Sequence, residues 1–79
     1  MKPVLEGEPL SAREIEVLAL LADGLKFAEI GVRLFIGEPT VKTHIQRART
    51  KLGARNRTHA VVLADRAGML ARALEQVTP

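Results

Sequence analysis

The 79 residues contain no cysteine, tryptophan or tyrosine, and their only aromatic rings are Phe27 and Phe35. Without thiols there can be no disulfide, thiolate zinc site or cysteine nucleophile, so packing alone must hold the core. So few rings leave scarcely any stacking platform of the kind that grips single-stranded nucleic acid. Long apolar runs are missing too. The longest, Val17 to Ala22, falls far short of the roughly 20 residues a bilayer span requires, and the N-terminus lacks a signal-peptide apolar stretch. A cytoplasmic protein with no membrane association is expected. Acidic side chains are absent from one stretch: residues 39–64 hold six Lys or Arg and no Asp or Glu, whereas residues 1–38 hold four basic and seven acidic groups. The net charge of +3 is therefore concentrated at one pole, which favours a polyanionic partner.

A chain of this length supports one small domain. Residues 1–9, with Glu6-Gly7-Glu8-Pro9, read as a flexible lead-in, residues 10–70 as the folded domain, and residues 71–79 as a C-terminal tail. Four helices are expected. Ser11-Ala12-Arg13-Glu14 has the form of a capping box, with Leu10 and Ile15 as its staple, and it opens a helix that Asp23-Gly24 ends. The apolar face of that helix is Ile15, Leu18, Ala19 and Ala22. A two-turn helix follows near Phe27 to Leu34, burying Ile30 and Leu34, with Gly31 leaving room for another helix to approach. Glu38-Pro39 opens a third helix that runs to Leu52, before Gly53. At 100° per residue, Val41, Ile45, Ala48 and Leu52 share its core face, with His44 on the border. The opposite face carries Pro39, Thr43, Gln46, Arg47 and Thr50, flanked by Lys42 and Arg49. A fourth helix is expected from an N-cap at Thr58 to about Ala67, with Ala60, Leu63, Ala64 and Ala67 inward and Gly68 as its stop.

A short helix joined by a tight turn to a second helix with a cationic outer face is a helix-turn-helix arrangement. The major groove of B-form DNA admits one α-helix, whose N-terminal side chains reach base edges while its flanks meet phosphates. Lys42, Thr43 and Gln46 occupy the base-facing places. Other chemistries fit poorly. His44 and His59 lie fifteen residues apart without metal-ligand spacing, so no metal is expected and His44 is read as a partly buried hydrogen-bonding group. Ser11, the only serine, is engaged in a cap and so makes a poor nucleophile. No cofactor motif occurs and there is little room for a substrate pocket, so no cofactor, no catalytic residue and no enzymatic activity are expected.

Residues 10–18 (LSAREIEVL), Glu29-Ile30, Thr40-Val41-Lys42-Thr43-His44, Lys51-Leu52-Gly53 and Arg57-Thr58-His59-Ala60-Val61 together resemble the LuxR (GerE-type) DNA-binding domain. The resemblance implies an all-α, four-helix domain of a bacterial transcriptional regulator that binds double-stranded DNA. Helix three would lie in the major groove and helix four would pair two copies. It implies base contacts for Lys42, Thr43 and Gln46 and phosphate contacts for Lys26 and Thr40. The charge pattern adds Arg47, Arg49, Lys51, Arg55 and Arg57 as phosphate-binding cations. The chain departs from the family pattern in places: Lys26-Phe27 and Gly37 stand where it has side-chain caps, and Ala48 stands where it has a larger aliphatic residue. Residues 46–52 instead resemble region 4 of bacterial sigma factors, which bind promoter DNA and RNA polymerase. The continuation through Arg57-Thr58 into another helix favours the LuxR type.

Val62 and Met69 lie seven residues apart on the outer side of the expected fourth helix, with Asp65 and Arg66 between them. This strip suits a weak two-fold homodimer formed mainly on DNA, at inverted half-sites. A protein-docking role would use the same strip and leave helix three unused. Regulation must come from elsewhere, because the first ten residues are too few to form a sensor or receiver. The chain is then either a small stand-alone regulator or the output domain of a longer one, with RNA polymerase as a further partner to consider.

Overall fold

The computed structural model describes residues 3–71, which form four helices and no strand among them: α1 (Ala12–Ala22), α2 (Phe27–Leu34), α3 (Glu38–Leu52) and α4 (Arg57–Arg66). The fold is all-α, as expected. Each helix starts where the local chemistry provides for it. Glu14 N–H donates to Ser11 Oγ at 3.1 Å, and Ser11 N–H donates to Glu14 Oε1 at 2.9 Å, so the capping box of α1 is complete. Lys26 provides no side-chain cap for α2, but its own N–H donates to Glu29 Oε1 at 2.7 Å. Gly37 leaves α3 without a side-chain cap, and Pro39 lies in the first turn. For α4 the sequence expectation is corrected. The N-cap is Asn56 and not Thr58, because the Asn56 carboxamide oxygen accepts from His59 N–H at 2.8 Å.

All four helices end on or beside a residue in the left-handed region, Gly68 (φ 77°) following α4. Gly24 (φ 92°) follows α1 and Gly53 (φ 66°) closes α3, each followed by an N–H that reaches five residues back: Leu25 to Leu20 O at 3.2 Å and Ala54 to Arg49 O at 3.0 Å. At the end of α2 the same bond, Ile36 N–H to Gly31 O at 2.9 Å, is made through Phe35, a non-glycine residue at φ 59°. Gly31 is required by this turn and not by a crossing helix, since a β-carbon there would lie 2.7 Å from the Ile36 carbonyl oxygen.

The core has two parts that share α1 and α3. Val17, Leu20, Ile30, Leu34, Val41 and Ile45 join α1, α2 and α3 through branched side chains. Leu18, Ala19, Ala48, Ala60, Ala64 and Leu70 join α1, α3 and α4. Ala48 is fully buried beside Ala19, Ala60 and Ala64, so small neighbours accommodate the small residue in α3. Inward residues on α1 and α4 differ in part from expectation. Val17 and Leu20 are fully buried while Ala22 is exposed, and on α4 Val61 packs against the core while Ala67 is exposed.

The lead-in is tied down for part of its length. Gly7 N–H donates to the Lys51 carbonyl at 2.9 Å, taking one of the acceptors that the end of α3 leaves open, and Leu10 packs on the core. The described part of residues 1–9 is thus not a free arm. The tail at 72–79 lies outside the described residues.

Candidate nucleic-acid interface

Burial of Val41, Ile45 and Ala48 fixes the rotation of α3, so its opposite side must face outward. Thr40, Lys42, Thr43 and Gln46 are all exposed there, on the first two and a half turns. The helix backbone steadies this face. Thr43 Oγ1 donates to Pro39 O at 3.1 Å, which leaves the hydroxyl oxygen able to accept, and Thr50 Oγ1 donates to Gln46 O at 3.1 Å. Lys42 Nζ lies 3.8 Å from Glu38 Oε2, and both side chains are about half exposed, a pair weak enough to open for another anion.

The expected phosphate-binding cations fall into different settings. Lys26 and Arg57 line one concavity with Leu25, Phe27, Ala28 and Glu38. The Arg57 guanidinium sits over the Phe27 ring, 4.9 Å from its centroid. Arg55 is exposed, and its backbone N–H donates to His59 Nδ1 at 3.1 Å. Arg47 is half-buried, and Arg49 Nε donates to Ala54 O at 3.3 Å.

Lys51 requires a correction. Its side chain is only 12% exposed and its Nζ lies 2.8 Å from Glu14 Oε1, so it points inward as the partner of a carboxylate that is itself 3% exposed. Glu14 Oε1 thus accepts from both Ser11 N–H and Lys51 Nζ. Burial pushes the Glu14 carboxyl up, but Lys51 and the Ser11 bonds outweigh it and hold the group below the usual carboxylate range. His44 also departs from its expected role. Its Nδ1 is buried without a hydrogen-bond partner among the described residues. Burial, followed by the charges of Arg13 and Arg47, lowers its pKa against the opposing pull of Glu14.

The expected α4 strip is broken. The helix ends at Arg66, Gly68 turns the chain at φ 77°, and Met69 packs half-buried on the core, so Val62 and Met69 do not share one helix face. Val62, Asp65 and Arg66 instead line a groove with Ala22, Asp23 and Leu70, between the end of α1 and α4.

Sequence reasoning missed two contacts, Glu14 with Lys51 and Phe27 with Arg57. Each spans some thirty or more positions, and no periodicity along one helix reports on such a pair. Among the described residues there is no cluster of three metal-ligating side chains and no helix long and apolar enough to cross a membrane.

The family model described as bacterial regulatory proteins, luxR family, matches residues 8–64, covering all of α1 to α3 and most of α4. The uncharacterized transcriptional regulatory protein YxjL of Bacillus subtilis is 48% identical over 64 residues, which are 81% of this chain and 29% of that protein. The transcriptional regulatory protein LiaR of the same organism is 48% identical over 62 residues, 78% of this chain and 29% of its own length. The spore germination protein GerE, also from Bacillus subtilis, is 46% identical over 61 residues, 77% of this chain and 82% of GerE. The chain thus spans under a third of the first two relatives and most of the third. The fourth helix and these matches do not favour the sigma region 4 reading. With a cationic second helix in a helix-turn-helix and a family model that spans it, the chain belongs to the LuxR family of bacterial regulatory proteins, as a DNA-binding helix-turn-helix domain.

Proposed function

We propose that this domain reads double-stranded DNA with the first half of α3 in the major groove, for transcriptional regulation. Lys42, Thr43 and Gln46 discriminate bases, because they are the exposed side chains on the outer face of a helix whose rotation the core fixes. That fixed, outward and polar face is the observation that carries the reading. Lys26, Thr40, Arg47, Arg49, Arg55 and Arg57 meet phosphates. Lys51 leaves this set, since its ammonium is held by Glu14. Position and affinity then come from the flanking cations and sequence preference from three side chains.

A second copy is proposed to meet the α4 groove at Val62, Asp65 and Arg66. Val62 is 38% exposed, and one charge of each sign lets the surface pair with itself across a two-fold axis. The half-sites would then be inverted. Val62→Glu should weaken binding to a two-half-site duplex while leaving binding to a single half-site unchanged. Equal binding of the variant and the wild type to both duplexes overturns the dimer.

The reading is tested by fluorescence anisotropy with a duplex selected from a random pool and a scrambled control, at two salt concentrations. About five neutralised phosphates per copy give a slope of log K against log salt of roughly −4 to −5. Lys42→Glu should abolish preference for the selected duplex. Failure of the wild type to bind either duplex at low salt, or a slope near zero, overturns the reading.

A further inference from the structure

Phe27 has no place in the base-reading or phosphate-binding set, yet it occupies a telling position. It is the first residue of α2, half-buried against the cluster of Val17, Leu20, Ile30, Leu34, Val41 and Ile45. One side of its ring is therefore fixed by the core that also fixes α3. The other side carries the guanidinium of Arg57, the first residue of α4, with Cζ 4.9 Å from the ring centroid. Arg57 is exposed and makes no ion pair among the described residues, so the ring is the contact that holds an otherwise long and flexible side chain. Lys26, adjacent to Phe27 in sequence, lines the same concavity. Glu38 lies in it as well, and its carboxylate is turned to Lys42 at 3.8 Å.

A cation–π contact holds the guanidinium charge without an ion-pair partner, so a ring can order Arg57 and leave N–H donors with which arginine grips a phosphate. An ion pair would orient the side chain at the cost of those donors. We propose that Phe27 is a positioning residue for DNA binding: its ring pre-orders Arg57 beside Lys26 so that the two cations meet the phosphate backbone together. Phe27 itself touches no DNA. The ring acts through its negative face and through Arg57 alone, so its effect must depend on ring electronics and vanish when Arg57 is removed. This inference rests on the DNA-binding reading of α3.

The test uses the whole 79-residue chain made by chemical synthesis, with phenylalanine, difluorophenylalanine and tetrafluorophenylalanine at position 27. Fluorination keeps the ring's shape and packing while draining its negative face. Affinity for duplex DNA is measured for each ring in the Arg57 chain and in Arg57→Ala. The expected result is a stepwise loss, about three- to five-fold across the series, equal on selected and scrambled duplexes, in the Arg57 chain and flat in Arg57→Ala. A series that is flat in both backgrounds overturns the proposal. So does an equal decline in both, which would make the ring a packing element only. Unaltered binding of Arg57→Ala relative to the parent also overturns it, while α3 remains the reader as long as Lys42→Glu abolishes preference. If the unmodified chain binds no duplex, the DNA-binding reading fails and this inference fails with it, so the two failures are told apart by the parent chain.

Discussion

The two halves of α3 differ in charge and in fate: the first carries Lys42 and Glu38, and the second carries Arg47, Arg49 and Lys51 with no acid. In the first half, Thr40, Lys42, Thr43 and Gln46 stand exposed, and the hydrogen bonds and ion pair they make lie within the helix or at its surface. In the second half, Arg49 bonds the Ala54 carbonyl, Lys51 is drawn into a buried pair with Glu14, and the Lys51 carbonyl receives Gly7 N–H. One end of the helix is kept available for a partner, and the other is fastened to the domain. A count of positive residues thus overstates the positive surface. The comparison also separates stability from recognition: substitution of Lys51 in the second half should damage folding, and substitutions in the first half should damage reading.

The largest expected effect is Lys51→Met. It keeps the apolar stem but leaves Glu14 buried with only its Ser11 partners, so it should destabilise the fold by about 2–4 kcal/mol in urea unfolding. An unfolding midpoint equal to that of the wild type would break the comparison at its fastened end. At the open end, Gln46→Ala should lose about 1–3 kcal/mol of discrimination at one base position, with stability unchanged within about 0.5 kcal/mol. Binding to a panel of single-base variants measures the first and urea unfolding the second. Equal weakening on every variant would remove Gln46 from the readers.

Acid should act on the buried side of the domain, where His44 and Glu14 work in the same direction. The folded state resists protonating His44, whose pKa lies below the ordinary 6.5, so the unfolded chain takes up that proton first and stability falls as pH drops below about 6.5 toward the folded value. Glu14 is likewise held below its ordinary 4.5, so its contribution is present above that pH and is lost as pH falls through the folded value. Urea midpoints measured from pH 7 to pH 3 should decline in two stages. In His44→Gln the upper stage should vanish, and in Lys51→Met the lower stage should begin at higher pH. A flat profile between pH 7 and pH 5 in the wild type would contradict the His44 assignment.

Much of the arrangement was legible in the sequence wherever the cause is local. The Ser11 and Glu14 box, the Asp23-Gly24 and Gly53 stops, and the positions of Val41, Ile45 and Ala48 each follow from neighbours within four residues, and all of these appear in the structure. Asn56 and Thr58 are both capping types two residues apart, so residue type alone does not choose between them, and the structure uses Asn56. The strip on α4 failed because Gly68 breaks the helix before Met69, and helical spacing does not survive such a break. Lys51 read as a surface cation because its partner lies 37 residues away.

The turn between α2 and α3 offers a smaller test. Phe35 adopts φ 59° and is 94% exposed, so it bears the cost of a left-handed backbone with almost no burial in return. Phe35→Gly should stabilise the domain by about 1 kcal/mol and raise the melting temperature by roughly 4–8 °C. An unchanged or lower melting temperature would mean that the ring contributes to the folded state despite its exposure.

The smallest effect on stability, and the sharpest on the comparison, comes from setting Arg55 against Lys51. Arg55 is exposed and its side chain makes no ion pair or hydrogen bond among the described residues, so Arg55→Ala should leave stability within about 0.5 kcal/mol. It should weaken binding to all duplexes alike and make the slope of log K against log salt shallower by about 0.9, the contribution of one phosphate. Lys51→Met removes the same formal charge. Because that charge is already neutralised by Glu14, the variant, measured at a temperature where it is fully folded, should keep the wild-type slope. Equal slopes for the two variants would show that the Lys51 ammonium leaves Glu14 for the phosphate backbone, and the fastened half of α3 would then have to open on binding.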